Sequence, residues 1–159
     1  MRELWNVPAE GSQWLVDAEV DEALVGDDLI RWKNQNSFVA RLTITSFCPG
    51  LVFRISQLKA VLEEPAAQGP IQECRLWVAC EWIIRCADVI YQAMITEKNP
   101  DVAFNTGSLC GNDIPHFGID RWEFWKKRFG EISEGAKDLK LDITIDERIP
   151  NTIKSMGEV

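Results

Sequence analysis

The chain has 159 residues and a hydrophobic fraction of 46%, which suits one domain with one sizeable core. Its formal net charge of −8 argues against binding to nucleic acid or to an anionic membrane, because both need a field of Lys and Arg. No stretch approaches the roughly 18 consecutive apolar residues of a membrane helix, and residues 1–10 lack a charged leader followed by an apolar run. We therefore expect a cytoplasmic protein without nucleic-acid or membrane partners.

Hydrophobic periodicity predicts three helices in the first part of the chain. One covers residues 12–25 and ends at Gly26. The next begins at the acidic residues 27–28, which suit a helix N-terminus, and a Cys-Pro-Gly sequence at residues 48–50 breaks it. A third covers residues 51–64 and ends before a proline.

The strongest helix signal covers residues 70–96. Apolar residues occupy two of its sides, and a helix that is apolar on two sides is buried. At about 1.5 Å per residue it would be roughly 40 Å long, so we expect it to be the central helix of the domain. One side is formed by Trp77, Cys80, Ile84, Ala87, Tyr91 and Met94, and the other by Val78, Trp82 and Val89.

Residues 99–118 contain many Gly, Pro and Asn residues and are predicted to form a loop. Loops of this length are often functional. The helix that follows has two alternative starts: Asp120 can cap it in a capping box with Glu123, or Gly118 can be the cap. One side of that helix presents Trp122, Trp125, Phe129 and Ile132.

The C-terminal part carries two conflicting patterns. Residues 139–145 alternate between apolar and polar, which is typical of a strand, whereas helical spacing relates Ile145, Ile149 and Met156. Because a strand without a neighbour would leave its backbone unpaired, we favour an extended connector and then a short helix bent at Pro150, together covering residues 135–159. The predicted fold is a single all-α domain, residues 1–159, with five or six helices around the central one.

Cysteine spacing argues against disulfides and metal sites. Five Cys is an odd number, and Cys74, Cys80 and Cys86 are six residues apart, so their side chains point about 120° apart on a helix. Zinc sites usually need three or four Cys and His ligands at short spacings, and the chain has one His. We expect reduced, buried thiols, no metal and no cofactor, since no Gly-rich phosphate loop is present either.

The single histidine, His116, lies in the predicted loop near Cys110 and Asp113. A nucleophilic Cys needs a neighbouring base and a group that orients it, and these are the required residue types. The spacing matches no known catalytic motif. A role in stabilising the loop is therefore the main alternative to catalysis or ligand contact.

Charged residues within apolar segments are the second set of candidates. Glu81 and Arg85 are four residues apart on the predicted central helix, and Arg41 lies inside an apolar run. Charges inside a core are rare unless they are paired. One interpretation is a structural bridge between Arg41 and Glu81 that joins two helices. The other is the polar floor of a ligand pocket with aromatic walls.

Four stretches resemble a family of proteins catalogued as domain of unknown function 3632. They are Asn-Ser-Phe-Val-Ala-Arg-Leu-Thr at 36–43, Leu-Lys-Ala-Val-Leu-Glu-Glu-Pro at 58–65, Trp-Ile-Ile at 82–84 and Arg-Trp-Glu-Phe-Trp-Lys-Lys-Arg-Phe at 121–129. The last of them is fairly specific. The resemblance covers residues 28–134 and implies a helical fold, a filamentous-fungal origin and a place in specialised metabolism, but it supplies no catalytic residues.

Two functions remain open. In the first, the protein binds or converts a small apolar metabolite without a cofactor, as an isomerase or cyclase would. Its pocket would be lined by Trp77, Trp82, Arg85, Trp122 and Trp125, with Glu81 or His116 as the acid or base. In the second, it is a helical interaction module that forms a homodimer or docks to a partner through an exposed apolar stripe.

Overall fold

The computed structural model describes residues 22–45, 51–96, 105–111, 113–139 and 143–159. These residues contain five helices and no strand: α1 (Glu22–Ile44), α2 (Leu51–Leu62), α3 (Gly69–Thr96), α4 (Ile119–Leu139) and α5 (Ile143–Gly157). They confirm the prediction of an all-α, single-domain bundle. Most of the helix predicted at 12–25, and the break predicted at 48–50, lie outside the described residues.

The long helix α3 is the centre of the bundle, as predicted. It packs against each of the other four helices. Its buried side chains include Leu76, Val78 and Ile90, none of which has any exposed surface. The helix departs from helical geometry at Cys86, where φ is −128° and ψ is 18°. Two residues of the predicted apolar sides, Ile84 and Val89, instead reach the surface.

The core is built around α3 from side chains at helical spacing on all four neighbours. Helix α5 contributes at intervals of four and seven residues, which places its apolar side chains on one face. The core side chains of the neighbouring helices include Leu29, Trp32, Val39 and Ala40 of α1, Ile55, Leu58 and Leu62 of α2, Trp122, Trp125 and Phe129 of α4, and Ile145, Ile149 and Met156 of α5.

Gly26 does not end a helix, contrary to the sequence prediction. Helix α1 begins at Glu22 and continues through Gly26 to Ile44. Glycine inside a helix costs only about 1 kcal/mol relative to alanine, and tertiary packing routinely outweighs that cost. Here the buried residues Leu29 and Trp32 hold α1 against the core directly after the glycine.

The extended connector predicted from residue 135 is wrong for residues 135–139, and residues 140–142 lie outside the described part of the chain. Helix α4 continues to Leu139, and α5 begins at Ile143 and contains Pro150 within it. The alternating pattern at 139–145 therefore spans the end of one helix and the start of the next. Its apolar residue Ile145 is buried, with Ile149, on the core side of α5.

The start of α4 settles the choice between its two predicted caps. The helix begins at Ile119, so Asp120 lies within its first turn. The Trp122 N–H donates to the Gly118 carbonyl at 3.4 Å, which is the bond that a capping residue accepts. Gly118 has a φ of +131°, a conformation that suits glycine.

Candidate functional site

Three of the four tryptophans predicted to line a pocket are buried in the core. Trp82, Trp122 and Trp125 are at most 1% exposed. The Trp82 indole N–H donates to Asn36 Oδ1 at 3.0 Å, and the Trp125 indole N–H donates to Glu63 Oε1 at 2.6 Å. Buried indoles need such partners, and these fix the rings in place. The fourth, Trp77, is half-buried at the edge of the core.

Glu81, one of the predicted site residues, is buried and forms several polar contacts. Only 3% of the residue is exposed, and its carboxylate forms ion pairs with Arg85 and with Arg148 of α5. The Ser37 hydroxyl donates to Glu81 Oε1 at 2.6 Å. Burial acts to raise the pKa of Glu81, but the hydrogen bonds from Ser37, Arg85 and Arg148 together outweigh it and lower that pKa. Glu81 is therefore held as a carboxylate.

Arg148 connects Glu81 to Trp77. Its guanidinium lies 4.5 Å from the centre of the Trp77 ring, and Lys33 lies 5.8 Å from that ring. The cations and the half-buried indole attract each other through the ring's negative face. The structure thus brings together Glu81, Arg85 and Trp77 of the predicted site, and it adds Arg148, which sequence reasoning missed.

The predicted bridge between Arg41 and Glu81 is indirect. Arg41 is exposed, so it is not a buried charge as the apolar run around it suggested. It donates to the Ser37 hydroxyl at 3.0 Å, and that hydroxyl donates in turn to Glu81. The direct charge partners of Glu81 are Arg85 and Arg148.

The other predicted acid or base, His116, lies in the segment before α4 and is exposed. The main-chain carbonyl of His116 accepts a hydrogen bond from Arg121. Cys110 is buried, and burial raises the pKa of its thiol to about 12, so the nucleophilic thiolate is disfavoured. Asp113 is exposed. This geometry favours the loop-stabilising interpretation of the segment over the catalytic one.

A fully buried ion pair was missed by sequence reasoning. Glu63 and Arg121 both have no exposed surface. Arg121 donates to both carboxylate oxygens of Glu63, from Nε at 2.6 Å and from Nη2 at 3.0 Å. Such two-point pairing is the strongest geometry for these groups. Both residues lie in family-like stretches, but nothing local in the sequence relates two positions so far apart.

Glu63 also fixes the loop that crosses the end of α2. The Gly107 N–H donates to Glu63 Oε2 at 2.7 Å, and the Leu109 N–H donates to the Glu63 carbonyl at 2.8 Å. Ser108 donates from its hydroxyl to Glu64 Oε2 at 2.9 Å. These contacts supply partners for groups at a helix C-terminus, which otherwise has unpaired carbonyls. The part of the loop at 105–111 is therefore bound to the scaffold.

Three surface depressions lie on described residues, and none of these three has a tryptophan in its lining. The largest, about 520 Å³, is open and lies along α1 between Asp27 and Phe38. A second, about 310 Å³, lies between α3 and α5 and is bordered by Arg85 and Glu158. Within the described ranges no three His, Cys, Asp or Glu side chains are placed to hold a metal ion, and no helix could cross a membrane.

The solvent side of α1 carries two large apolar side chains among polar ones. Ile30 and Phe38 are 56% and 61% exposed and border the depression along this helix. Asn34, between them on the same side, is exposed too. Side chains eight residues apart lie on one side of a helix, so this face forms a continuous strip.

The fold and these contacts define an all-α bundle whose buried carboxylates, Glu63 and Glu81, are held in ion pairs. Residues 1–129 match the family described as "Protein of unknown function (DUF3632)". The match covers more than half of the chain, so the protein belongs to that family. Neither the curated proteins nor the solved structures gave a match to this chain.

The stretches that carry the family resemblance contribute residues to the buried hydrogen-bond network. Residues 36–43 supply Asn36 and Ser37, the partners of Trp82 and Glu81. Residues 58–65 supply Glu63, and residues 121–129 supply Arg121 and its neighbours. The stretches that resemble the family therefore contain residues that join the helices through buried hydrogen bonds.

Proposed function

We propose that this protein is a non-enzymatic helical interaction module whose partner docks on the solvent face of α1. The observation that carries the proposal is the exposure of Ile30 and Phe38 on one strip of that helix. Exposed apolar side chains grouped on one surface are typical of contact sites, whereas three of the four tryptophans predicted to line a pocket are buried in the core.

The energetic case rests on the two apolar side chains. Burying a whole Ile or Phe side chain stabilises a contact by roughly 1.5–3 kcal/mol, and more than half of each is still exposed here. Polar residues, Asp27, Arg31 and Gln35, line the same depression. An apolar centre with a polar rim is the usual composition of a contact surface between proteins.

The test is a photo-crosslinking amino acid placed at Asn34 in cells that naturally make the protein. We expect an ultraviolet-dependent adduct of defined mass, lost when Phe38→Glu is added. The control carries the same group at Gln92, which is exposed on α3. An absence of any intermolecular adduct at Asn34, or equal adducts at both positions, would contradict the proposed function.

Small-molecule binding is a second proposal, supported by the surroundings of Arg85. Arg85 borders the depression between α3 and α5 and is paired with Glu81, which shares Arg148 with Trp77. The proposed ligand is a small apolar metabolite, and the proposed chemistry is that of a cofactor-independent isomerase or cyclase. Native mass spectrometry tests it: an extra mass of a few hundred daltons, lost in folded Glu81→Gln, is the expected result.

We also propose that the protein is cytoplasmic and has a role in fungal specialised metabolism. The location is supported by the cysteines, since Cys74, Cys80, Cys86 and Cys110 are free and buried. Free thiols are typical of a reducing compartment. The metabolic role is supported by the family resemblance alone, and fractionation of the natural host with co-expression measurements would test both.

A further inference from the structure

The solvent face of α1 is symmetric in its sequence. Asp27, Ile30, Asn34, Phe38 and Arg41 are all exposed, and at about 100° per residue they lie within an arc of about 80°. The steps between them are three, four, four and three residues, so the spacing is the same from either end. The two ends differ in charge, since one carries a carboxylate and the other a guanidinium.

A face with this pattern is complementary to itself in the antiparallel orientation. When two copies of α1 meet at a two-fold axis through Asn34, each residue lies opposite the residue equally far beyond Asn34. Ile30 then lies against the partner's Phe38, and Asp27 lies against the partner's Arg41. Because a two-fold interface repeats every contact, the pairing gives two apolar contacts and two ion pairs.

We propose that this face joins two copies of the chain, which pair antiparallel about Asn34. The inference rests on the proposed function, because it names the partner of the same surface. A parallel pairing would place Asp27 against the partner's Asp27 and Arg41 against the partner's Arg41. Like charges in contact repel, so the charge pattern selects the antiparallel arrangement.

The expected dimer is weak and reversible. The paired stretch, from residue 27 to residue 41, is about 21 Å long at 1.5 Å per residue. One helix face of this length forms a contact at the small end of protein interfaces, so we expect a dissociation constant of about 10–100 µM. The net charge of −8 on each copy makes association stronger at moderate salt than at very low salt, because salt screens the repulsion between the two molecules.

A charge swap tests both the surface and the orientation. Asp27→Arg alone places two guanidiniums together at each end of the antiparallel pair, and Arg41→Asp alone places two carboxylates together. Each single substitution should raise the dissociation constant at least tenfold, measured by analytical ultracentrifugation up to about 500 µM. The double variant Asp27→Arg/Arg41→Asp restores opposite charges at both ends and should recover the wild-type constant to within about threefold.

Matched controls carry the same charge changes away from this face. Lys127→Asp and Glu123→Arg are on exposed positions of α4 and should leave association unchanged. Ile30→Ala and Phe38→Ala provide a second series, since truncating exposed side chains leaves the monomer folded. Each should weaken the dimer by a similar factor, because the two side chains touch each other across the axis. Circular dichroism confirms the fold of every variant.

Three results would overturn the inference. They are a wild-type protein that stays monomeric at the highest concentration, a dimer that the single swaps do not weaken, and a double variant that does not recover. The proposed function is judged separately by the crosslink at Asn34. An adduct with a different protein there keeps α1 as a docking surface while overturning the second copy as its partner.

Discussion

At the scale of single residues, the pair of Glu63 and Arg121 has the greatest consequence for the fold. The Glu63 carboxylate accepts hydrogen bonds from the Arg121 guanidinium, the Trp125 indole and the Gly107 amide, and the Glu63 main-chain carbonyl accepts one from the Leu109 amide. Both charges are fully buried. Removing one member of such a pair leaves the other charged, buried and unpaired, which costs far more than the pair itself contributes.

Glu63→Gln should therefore lower the free energy of unfolding by about 3–5 kcal/mol, because the buried Arg121 guanidinium loses its counter-charge. Urea denaturation followed by tryptophan fluorescence measures the change. The neighbouring Glu64→Gln is the control, since Glu64 is partly exposed and its ion pair with Lys59 spans 3.8 Å. It should cost at most about 1 kcal/mol. Equal effects of the two substitutions would contradict a special role for Glu63.

Glu81 should make the stability of the folded protein depend on pH. Hydrogen bonds from Ser37, Arg85 and Arg148 hold the pKa of the folded carboxyl below its ordinary value of 4.5. A lowered pKa in the folded state contributes stability that is fully present above the unfolded pKa and is lost as pH falls through the folded one. The stabilisation from Glu81 should therefore be present at neutral pH and disappear in acid.

Glu81→Gln tests that pH dependence. At about pH 7 it should lower the free energy of unfolding by about 1–3 kcal/mol, since two arginines lose a charged acceptor. The difference from wild type should shrink as the pH falls below 4.5 and approach zero once the pH lies below the lowered pKa of the folded carboxyl, because the protonated carboxyl resembles an amide. Denaturation curves at several pH values measure it. Glu131→Gln, in an exposed pair with Arg128, should give a small difference throughout, and a constant offset for Glu81→Gln would refute the prediction.

At the scale of elements, the contact between the loop and the end of α2 depends on a glycine. A Cβ at Gly107 would lie 2.5 Å from the Glu63 carbonyl oxygen and 2.7 Å from the Glu63 Cβ. Backbone at that distance cannot move aside without breaking the hydrogen bonds of the loop. The glycine thus lets residues 105–111 approach the buried carboxylate closely.

Gly107→Ala should destabilise the protein by about 1–3 kcal/mol, because the new methyl group forces the loop away from Glu63. Gly130→Ala is the matched change, in the interior of α4 with nothing within 4 Å of the added Cβ. It should stabilise the protein by about 0.5–1 kcal/mol, since alanine favours the helix. Thermal unfolding should therefore shift in opposite directions for the two variants. A stabilised Gly107→Ala would show that the loop adapts.

The helices themselves show which features the sequence could predict. The periodicity of 70–96 is long and apolar on two sides, so the central helix followed from local pattern alone. The end of α4 and the start of α5 did not, because the alternation at 139–145 includes the last residue of one helix and the first residues of the next. Gly26 likewise carries a local preference that packing of Trp32 and its neighbours overrides.

At the scale of the whole molecule, the sequence predicted only part of the candidate site. Glu81 and Arg85 are four residues apart and therefore neighbours on α3, where they form an ion pair, whereas the bridge expected between Arg41 and Glu81 runs through Ser37. The position of the tryptophans on helix faces was also predictable, but an inward-facing indole can line either a cavity or a solid core. Arg148 and the Glu63–Arg121 pair depend on contacts between distant segments, for which local patterns carry no signal.

The rates at which the buried thiols react can compare the opening of the whole bundle with the opening of the loop that contains Cys110. Burial raises the pKa of Cys74, Cys80 and Cys86 to about 11 and that of Cys110 to about 12, so thiolate is scarce while the protein is folded. The three thiols of α3 become accessible only when the central helix separates from its neighbours. Cys110 lies in the segment before α4, and we expect this segment to open without the core.

In the variant Cys48→Ser, which keeps these four thiols, we expect Cys110 to react first with a maleimide, followed by Cys74, Cys80 and Cys86 together. Labelling of the three should become faster in proportion to the unfolded fraction as urea is added, because it requires global opening. Peptide mass spectrometry at successive times gives each rate. Gly107→Ala should accelerate Cys110 more than the other three, since it loosens the loop directly. Equal rates for all four would mean that the loop and the core open as one cooperative unit.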